Sequence, residues 1–174
     1  HSEVIPELEE PVLNEKVGKY IAIRESIKDF IKTDWGIDDE KIKVIYNPID
    51  DTRFKIYDNI KTKPSILFVG SIDYLRKNTI YDLVKYCEDN EKELWLVGKN
   101  KSDYLEDLIK NKHVKYHESL WGVEKYVREC EQTASILMGR TTIEGWLCGK
   151  SGWIYNIDEE GTIIDKKLHS IPTV

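Results

Sequence analysis

Ser65-Ile66-Leu67-Phe68-Val69-Gly70-Ser71-Ile72-Asp73-Tyr74-Leu75-Arg76-Lys77-Asn78 decides how the rest of the chain is read. The apolar run Ile66 to Val69, closed by Gly70, is the pattern of a strand buried on both faces. A helical pattern follows at about Thr79 to Cys87. The same rhythm then repeats. Glu93-Leu94-Trp95-Leu96-Val97 is a second strand ending in Gly98, followed by a helix over Asp103 to Lys110. His113-Val114-Lys115-Tyr116 is a third strand, followed by a helix over Val123 to Cys130. Ser135-Ile136-Leu137-Met138 is a fourth strand ending in Gly139, then a short helix over Thr142 to Leu147 and a fifth strand, Gly152-Trp153-Ile154-Tyr155. Strands alternating with helices build βαβ units, and right-handed crossovers stack them into a Rossmann-like parallel sheet with helices on both faces. The expected fold class is therefore α/β.

Upstream the pattern differs. Residues 1–16 are acidic, carry Pro6 and Pro11, and read as an extended lead-in. Lys19 to Ile23 is a short strand candidate, and Arg24 to Trp35 is helical with Ile27, Phe30 and Ile31 on one face. Gly36 ends that helix. Lys41 to Tyr46 alternates like a strand, and Asn47-Pro48-Ile49-Asp50-Asp51 is turn chemistry at a natural boundary. This divides the chain into residues 1–50 and a Rossmann-like domain over 51–174.

Bulk properties exclude several classes. With 174 residues the chain needs no disulfide or metal staple to bury a core. A net charge of −6 argues against a nucleic-acid partner, while leaving room for a local cationic pocket. No apolar run is long enough to span a bilayer, and no signal-peptide pattern opens the sequence. Cys87, Cys130 and Cys148 form no C-x-x-C pair and read as reduced, core-packed thiols. The four histidines lack metal-ligand spacing, so no metal is expected.

Ligands of such sheets bind beyond the carboxyl ends of the strands, which points to the loops opening at Gly70, Gly98, His117 and Gly139. In the first loop Gly70 permits close backbone approach, and Arg76 and Lys77 arrive where the next helix begins. Their charges and the helix amides would then face the same anion. The plain alternative is two solvated basic residues. The second loop, with Gly98 and Lys99, lacks any G-x-G-x-x-G fingerprint and reads equally as an ordinary turn. The run Gly139-Arg140-Thr141-Thr142-Ile143-Glu144 is the most informative. Free amides and the Thr141 and Thr142 hydroxyls at a helix start form an anion site, and Glu144 one turn on suits a ribose diol. Its spacing fits equally an i,i+4 ion pair between Arg140 and Glu144 on a solvated helix face. Trp146 and Leu147 read as core contacts.

Taken in order, these pieces resemble the group-1 family of retaining glycosyltransferases with the GT-B fold. Tyr20-Ile21-Ala22-Ile23-Arg24-Glu25-Ser26-Ile27-Lys28-Asp29 is similar to a strand and helix of that family, with Arg24 in place of a serine. Lys43-Val44-Ile45-Tyr46-Asn47-Pro48-Ile49-Asp50, then Phe54, resembles its hinge, with Pro48 in place of glycine. Phe68-Val69-Gly70 followed by Arg76-Lys77 resembles its phosphate loop, although Ser71 stands where an arginine is usual. Ile143-Glu144-Gly145-Trp146-Leu147-Cys148-Gly149-Lys150 resembles its "lEAmacGkP" run, with Gly145 for alanine and Ser151 for proline. The earlier glutamate common in the family is absent, and its register position is Ile136.

The resemblance covers about Lys19 to Tyr155 and implies the C-terminal, donor-binding half of a two-domain enzyme. Residues 17–50 would then be the end of an acceptor-binding domain and its hinge, most of that domain being missing. The donor would be a nucleotide diphosphate sugar, the acceptor a glycan or lipid-linked molecule reached through the missing domain, and the outcome retention at the anomeric carbon. The setting would be polysaccharide or glycoconjugate synthesis, and the location cytoplasmic, peripheral at the inner membrane face in the full-length protein. Lys77 and Arg76 would act on the leaving diphosphate. Gly70, Ser71, Gly98, Lys99, His117, Gly139, Arg140, Thr141, Thr142 and Glu144 would hold the donor, Glu144 through its ribose. Two alternatives stay open: a non-catalytic nucleotide-binding or interaction module of the same fold, and a sugar-nucleotide epimerase. The strands at 19–23 and 42–46 are expected to expose edges that promote self-association.

Overall fold

The computed structural model describes residues 17–46, 48–118 and 122–170. The lead-in over residues 1–16 and Asn47 of the boundary turn lie outside the described residues. Two compact units divide after Pro48.

The first unit is small. It contains β1 (Tyr20–Ala22), α1 (Glu25–Thr33), a 3₁₀ turn over Asp39–Lys41 and β2 (Ile42–Val44). β1 and β2 pair in parallel, Tyr20 opposite Ile42. Ala22, Ile31 and Ile42 are its buried centre, with Ile27, Trp35 and Val44 packed around them. Gly36 takes φ of +64° just past α1, a left-handed turn that favours glycine. Ile21 on β1 is 63% exposed.

The second unit carries the βαβ repeat. Its elements are β3 (Lys63–Val69), α2 (Lys77–Asp89), β4 (Glu93–Val97), α3 (Leu105–Leu108) and β5 (Val114–His117). They continue with α4 (Glu124–Glu129), β6 (Cys130–Ile136), α5 (Arg140–Leu147), β7 (Ser151–Ile157) and β8 (Ile163–His169). The strand order is β5-β4-β3-β6-β7-β8. Every pairing is parallel except the last, β7 with β8. Counted from β3 this is the doubly wound order, with its reversal between β3 and β6.

Strand alternation sorts the core into two layers. Ile66 and Phe68 point to one face, where Ile80, Leu83 and Cys87 of α2 and Leu105 and Leu108 of α3 cover them. Leu67 points to the other, beneath Val127 of α4 together with Phe54, Trp95, Val97, Cys130 and Cys148. Each such side chain contributes about 1.5–3 kcal/mol on leaving water. All three cysteines are free and buried, matching the core role read from sequence. α5 lies close on β6 and β7 because two positions have no side chain. A Cβ on Gly145 would stand 2.7 Å from Thr133 Cγ2, and one on Gly152 would stand 2.8 Å from Thr142 Cγ2.

The structure departs from the sequence expectations at four points. The fourth strand begins at Cys130 and ends at Ile136, so Leu137 and Met138 belong to the following loop. Polar Gln132 and Thr133 hid its start, yet both are buried at the sheet centre. The helix expected over 103–110 shortens to Leu105–Leu108. There the Asn111 amide closes a turn on Leu108, and its side chain accepts from the His113 amide. The sheet also gains β8, antiparallel and mostly exposed, joined to α2 through the Lys166–Asp82 ion pair at 2.6 Å. Leu147, read as a core contact, is 38% exposed.

Candidate functional site

β3 and β6 are neighbours, Phe68 opposite Ala134, so the loops leaving their carboxyl ends flank one crevice at the reversal point. Of the sequence-predicted residues, Gly70, Ser71, Arg76 and Lys77 follow β3, and Gly139, Arg140, Thr141, Thr142 and Glu144 follow β6. Gly98 and Lys99 follow β4, and His117 ends β5, one and two strands further out.

The β3 loop does not leave the sheet at once. The Gly70 amide donates to Val97, the Ile72 amide donates to Lys99, and the Lys101 amide returns to Ile72. The loops at Gly70 and Gly98 thus prolong the β3–β4 ladder. Asp73 then caps the 3₁₀ turn Tyr74–Arg76, accepting from the Arg76 amide at 3.2 Å. The same carboxylate forms an ion pair with the Arg76 guanidinium. Arg76 is therefore held by its own loop, which revises the expectation that it faces an incoming anion freely. Lys77 differs. Its ammonium sits over the Tyr104 ring at 5.7 Å, and among the described residues it has no carboxylate within ion-pairing distance. Tyr104 is anchored in turn by its hydroxyl, which donates to the Asp73 carbonyl at 2.8 Å. Burial pushes that phenol up to about 12.

The β6 loop is built on one strained residue. Leu137 takes φ of +55°, a conformation that costs an ordinary residue about 1–2 kcal/mol. Three hydrogen bonds hold it there. Its amide donates to Tyr155, and its carbonyl accepts from the Ser135 hydroxyl and from the Gly139 amide, each at 2.8 Å. Having given its hydrogen to Leu137, Ser135 accepts from the Thr142 hydroxyl at 2.6 Å. Thr142 is fully buried, so its hydroxyl fastens α5 to β6 and does not reach a ligand. Its amide is also engaged, donating to Gly139 at 3.1 Å. Gly139, the residue before α5, supplies no side-chain cap. The first amides of α5, at Arg140 and Thr141, consequently form an uncapped positive end.

Glu144 lies one turn into α5, 5% exposed, with its carboxylate 2.7 Å from Arg140 Nε. The i,i+4 ion pair weighed from spacing is present, but on a buried carboxylate and not on a solvated face. Burial raises the Glu144 carboxyl above its ordinary value, and Arg140 followed by Arg53 offset part of that. Arg53 also pairs with Glu124 at 2.7 Å. Arg53, Glu124, Arg140 and Glu144 thus form one charged group beside α5. Sequence reading missed Arg53 and Glu124, which meet across 71 positions of the chain, and Asp73 and Ser135, whose partners are near in sequence but lie across a turn or on the next element. Gly98 has a packing reason for its identity, because a Cβ there would fall 1.8 Å from the Gly70 carbonyl oxygen. His117 stacks on Tyr126 at 4.9 Å, beside the β5 edge and away from the central crevice.

Among the described residues no group of three or more His, Cys, Asp or Glu side chains is placed to hold a metal ion. No helix among them is long and apolar enough to cross a membrane.

No protein-family model and no curated protein matches the chain. Solved structures do. Anabaena HepE in complex with UDP-glucose superposes with a TM-score of 0.61 at 20% identity, over 78% of this chain and 44% of HepE. A glycosyltransferase from Rickettsia africae gives 0.62 at 15% identity, over 84% of this chain and 51% of that one. S. aureus TarM, in a complex that includes UDP, gives 0.62 at 13% identity, over 78% of this chain and 29% of TarM. These neighbours are GT-B glycosyltransferases, and the likeness is one of fold. The chain spans about half or less of the length of each.

Proposed function

We propose that this chain is the donor-binding half of a glycosyltransferase that uses a nucleotide diphosphate sugar, and that its acceptor site lies on a further domain. The observation that carries the reading is the uncapped start of α5 at the sheet's reversal point, with the buried Glu144 carboxylate one turn on and, after the neighbouring strand β3, a Lys77 ammonium that has no ion-pair partner among the described residues. The amides of Arg140 and Thr141 and the Lys77 ammonium would take the diphosphate, and Glu144 would accept the ribose hydroxyls. As the sugar leaves, charge grows on the diphosphate, and preorganised donors of this kind stabilise it. Arg76 would support Lys77 only by releasing Asp73. In this reading the sugar is transferred with retention to a glycan or lipid-linked acceptor. No residue is assigned as base or nucleophile. The complexes of HepE with UDP-glucose and of TarM with UDP support the choice of ligand class.

A second reading has its own observation. Ser71 stands where the resembling family carries arginine, and Arg76 and Glu144 are both engaged in internal ion pairs. A nucleotide-binding or interaction module without transfer activity would share these features.

Calorimetric titration with UDP, GDP and ADP tests the proposal. One of the three is expected to bind, with affinity reduced by Lys77→Ala and by Glu144→Ala. A folded chain that binds none of them overturns it. Transfer activity in a two-domain chain separates the enzyme from the module.

A further inference from the structure

At the opposite pole of the same sheet lies a cavity of about 300 Å³ that the donor reading does not use. It is lined by Lys55, Tyr57, Thr62, Arg128, Cys148 and Lys150, among others. Thr62 precedes β3, Arg128 precedes β6 and Lys150 precedes β7, so this site sits at the amino ends of the strands. Sheet length separates it from the carboxyl-end loops by roughly 20 Å at about 3.3 Å per residue.

Its charge is what needs an account. The chain as a whole carries −6, yet this cavity is lined by three cations and no carboxylate. Among the described residues none of the three forms an ion pair, whereas Lys63, Arg53 and Lys92 nearby in the same unit all do. Lys150 Nζ donates to the Thr62 hydroxyl at 3.1 Å. The Arg128 guanidinium stacks 4.2 Å over the Tyr57 ring and donates to the Tyr57 hydroxyl and the Arg53 carbonyl. Its Nε is buried with no hydrogen-bond partner. The Lys55 ammonium approaches the same ring at 5.4 Å. Dipole compensation explains part of this, because α4 and α5 both end here. A helix end carries only about half a unit of negative charge. Two such ends leave roughly two positive charges unmatched.

We infer that this cavity binds a phosphomonoester, with Lys55, Lys150 and Arg128 as its cationic ligands and Tyr57 holding Arg128 in place. A dianionic phosphate matches the surplus charge and takes charge-assisted hydrogen bonds from both lysines. The phosphate group could be borne by a soluble metabolite or by a lipid headgroup. The chemistry in the pocket is the same for both.

The test uses the whole chain, isotopically labelled, titrated with inorganic phosphate and followed by amide chemical shifts. Shifts are expected to cluster at residues 55–57, 128 and 148–150. Lys55→Gln/Lys150→Gln, which alters two lysines on the cavity wall, should weaken that binding by roughly tenfold. Shifts confined to residues 70–77 and 139–142 overturn the inference while leaving the donor reading intact. An absence of shifts in the folded chain also overturns it. Co-sedimentation with phosphatidylcholine vesicles containing phosphatidic acid separates the sources. Recruitment that the double variant abolishes assigns the headgroup, and no recruitment alongside localised phosphate binding assigns the soluble metabolite.

Discussion

The side-chain oxygens of Ser135 and Thr142 stand 2.6 Å apart, and Thr142 is the donor because Ser135 gives its own hydrogen to Leu137. This single bridge sets the start of α5 against the end of β6. Thr142→Val keeps the shape and removes the donor. It should cost about 1–3 kcal/mol in urea unfolding, the usual loss for a buried polar group stripped of its partner. An unchanged midpoint would mean that the bridge does not fasten the helix.

Gly98 faces the Gly70 carbonyl across the β3–β4 ladder with no space for a methyl group. Gly98→Ala should therefore separate the two loops and lower stability by more than about 3 kcal/mol, beyond the ordinary range for one substitution. Gly18→Ala, with nothing within 4 Å, is the matched control. Thermal unfolding of the two variants decides it.

Leu137 offers the opposite sign. It is 43% exposed and held at φ of +55°, so its side chain contributes little packing while its backbone is strained. Asparagine tolerates that conformation well, and Leu137→Asn should stabilise the chain by about 0.5–1 kcal/mol. A lower unfolding midpoint would show that Leu137 packs against something it is needed for.

Glu144 makes stability depend on pH. Its folded carboxyl is raised above the ordinary value of 4.5, chiefly by burial. The folded state then holds the proton more tightly than the unfolded one, so this group's contribution is most favourable below 4.5 and declines as pH rises through the raised value. Glu144→Gln should flatten the stability profile in that window. A profile unchanged by the substitution would mean that Arg140 fully offsets burial.

Burial pushes the thiols of Cys87 and Cys130 up to about 12 and also raises that of Cys148. Thiolate is the reactive form. At neutral pH the native chain should react slowly with a thiol-disulfide reagent, and all three thiols should react at once in guanidinium. Cys148 should lead in the native state, because it lines a cavity and has Arg128 and Lys150 nearby. Fast native labelling of Cys87 would contradict the packing of α2.

The fold was legible where burial leaves a continuous apolar signature. Ile66 to Val69 and Glu93 to Val97 read directly as strands, and the glycines after them located the carboxyl-end loops. It was not legible where polar residues are buried or charged ones paired. Gln132 and Thr133 disguised the start of β6, and Asp165, Lys166 and Lys167 disguised β8, an edge strand with little apolar content. The candidate site divides the same way. Local spacing found Arg140 and Glu144 and supplied both readings of them. It did not show that Asp73 claims Arg76, because the 3₁₀ turn that brings them together was not read, nor that Ser135 claims Thr142, because these lie on different elements, β6 and α5.

The order of the strands has a consequence during synthesis. β3 is the first strand of its unit to emerge from the ribosome, yet it ends up in the middle of the sheet. The β5-β4-β3 half of the sheet can be complete by His117, but the edge of β3 that will receive β6 stays bare until Cys130 and its successors appear. For that interval the nascent chain presents a half-sheet with an unpaired central edge carrying Ile66, Leu67 and Phe68, which is a template for joining another chain. Ribosomal pausing within this stretch, or products truncated there, would prolong that exposure.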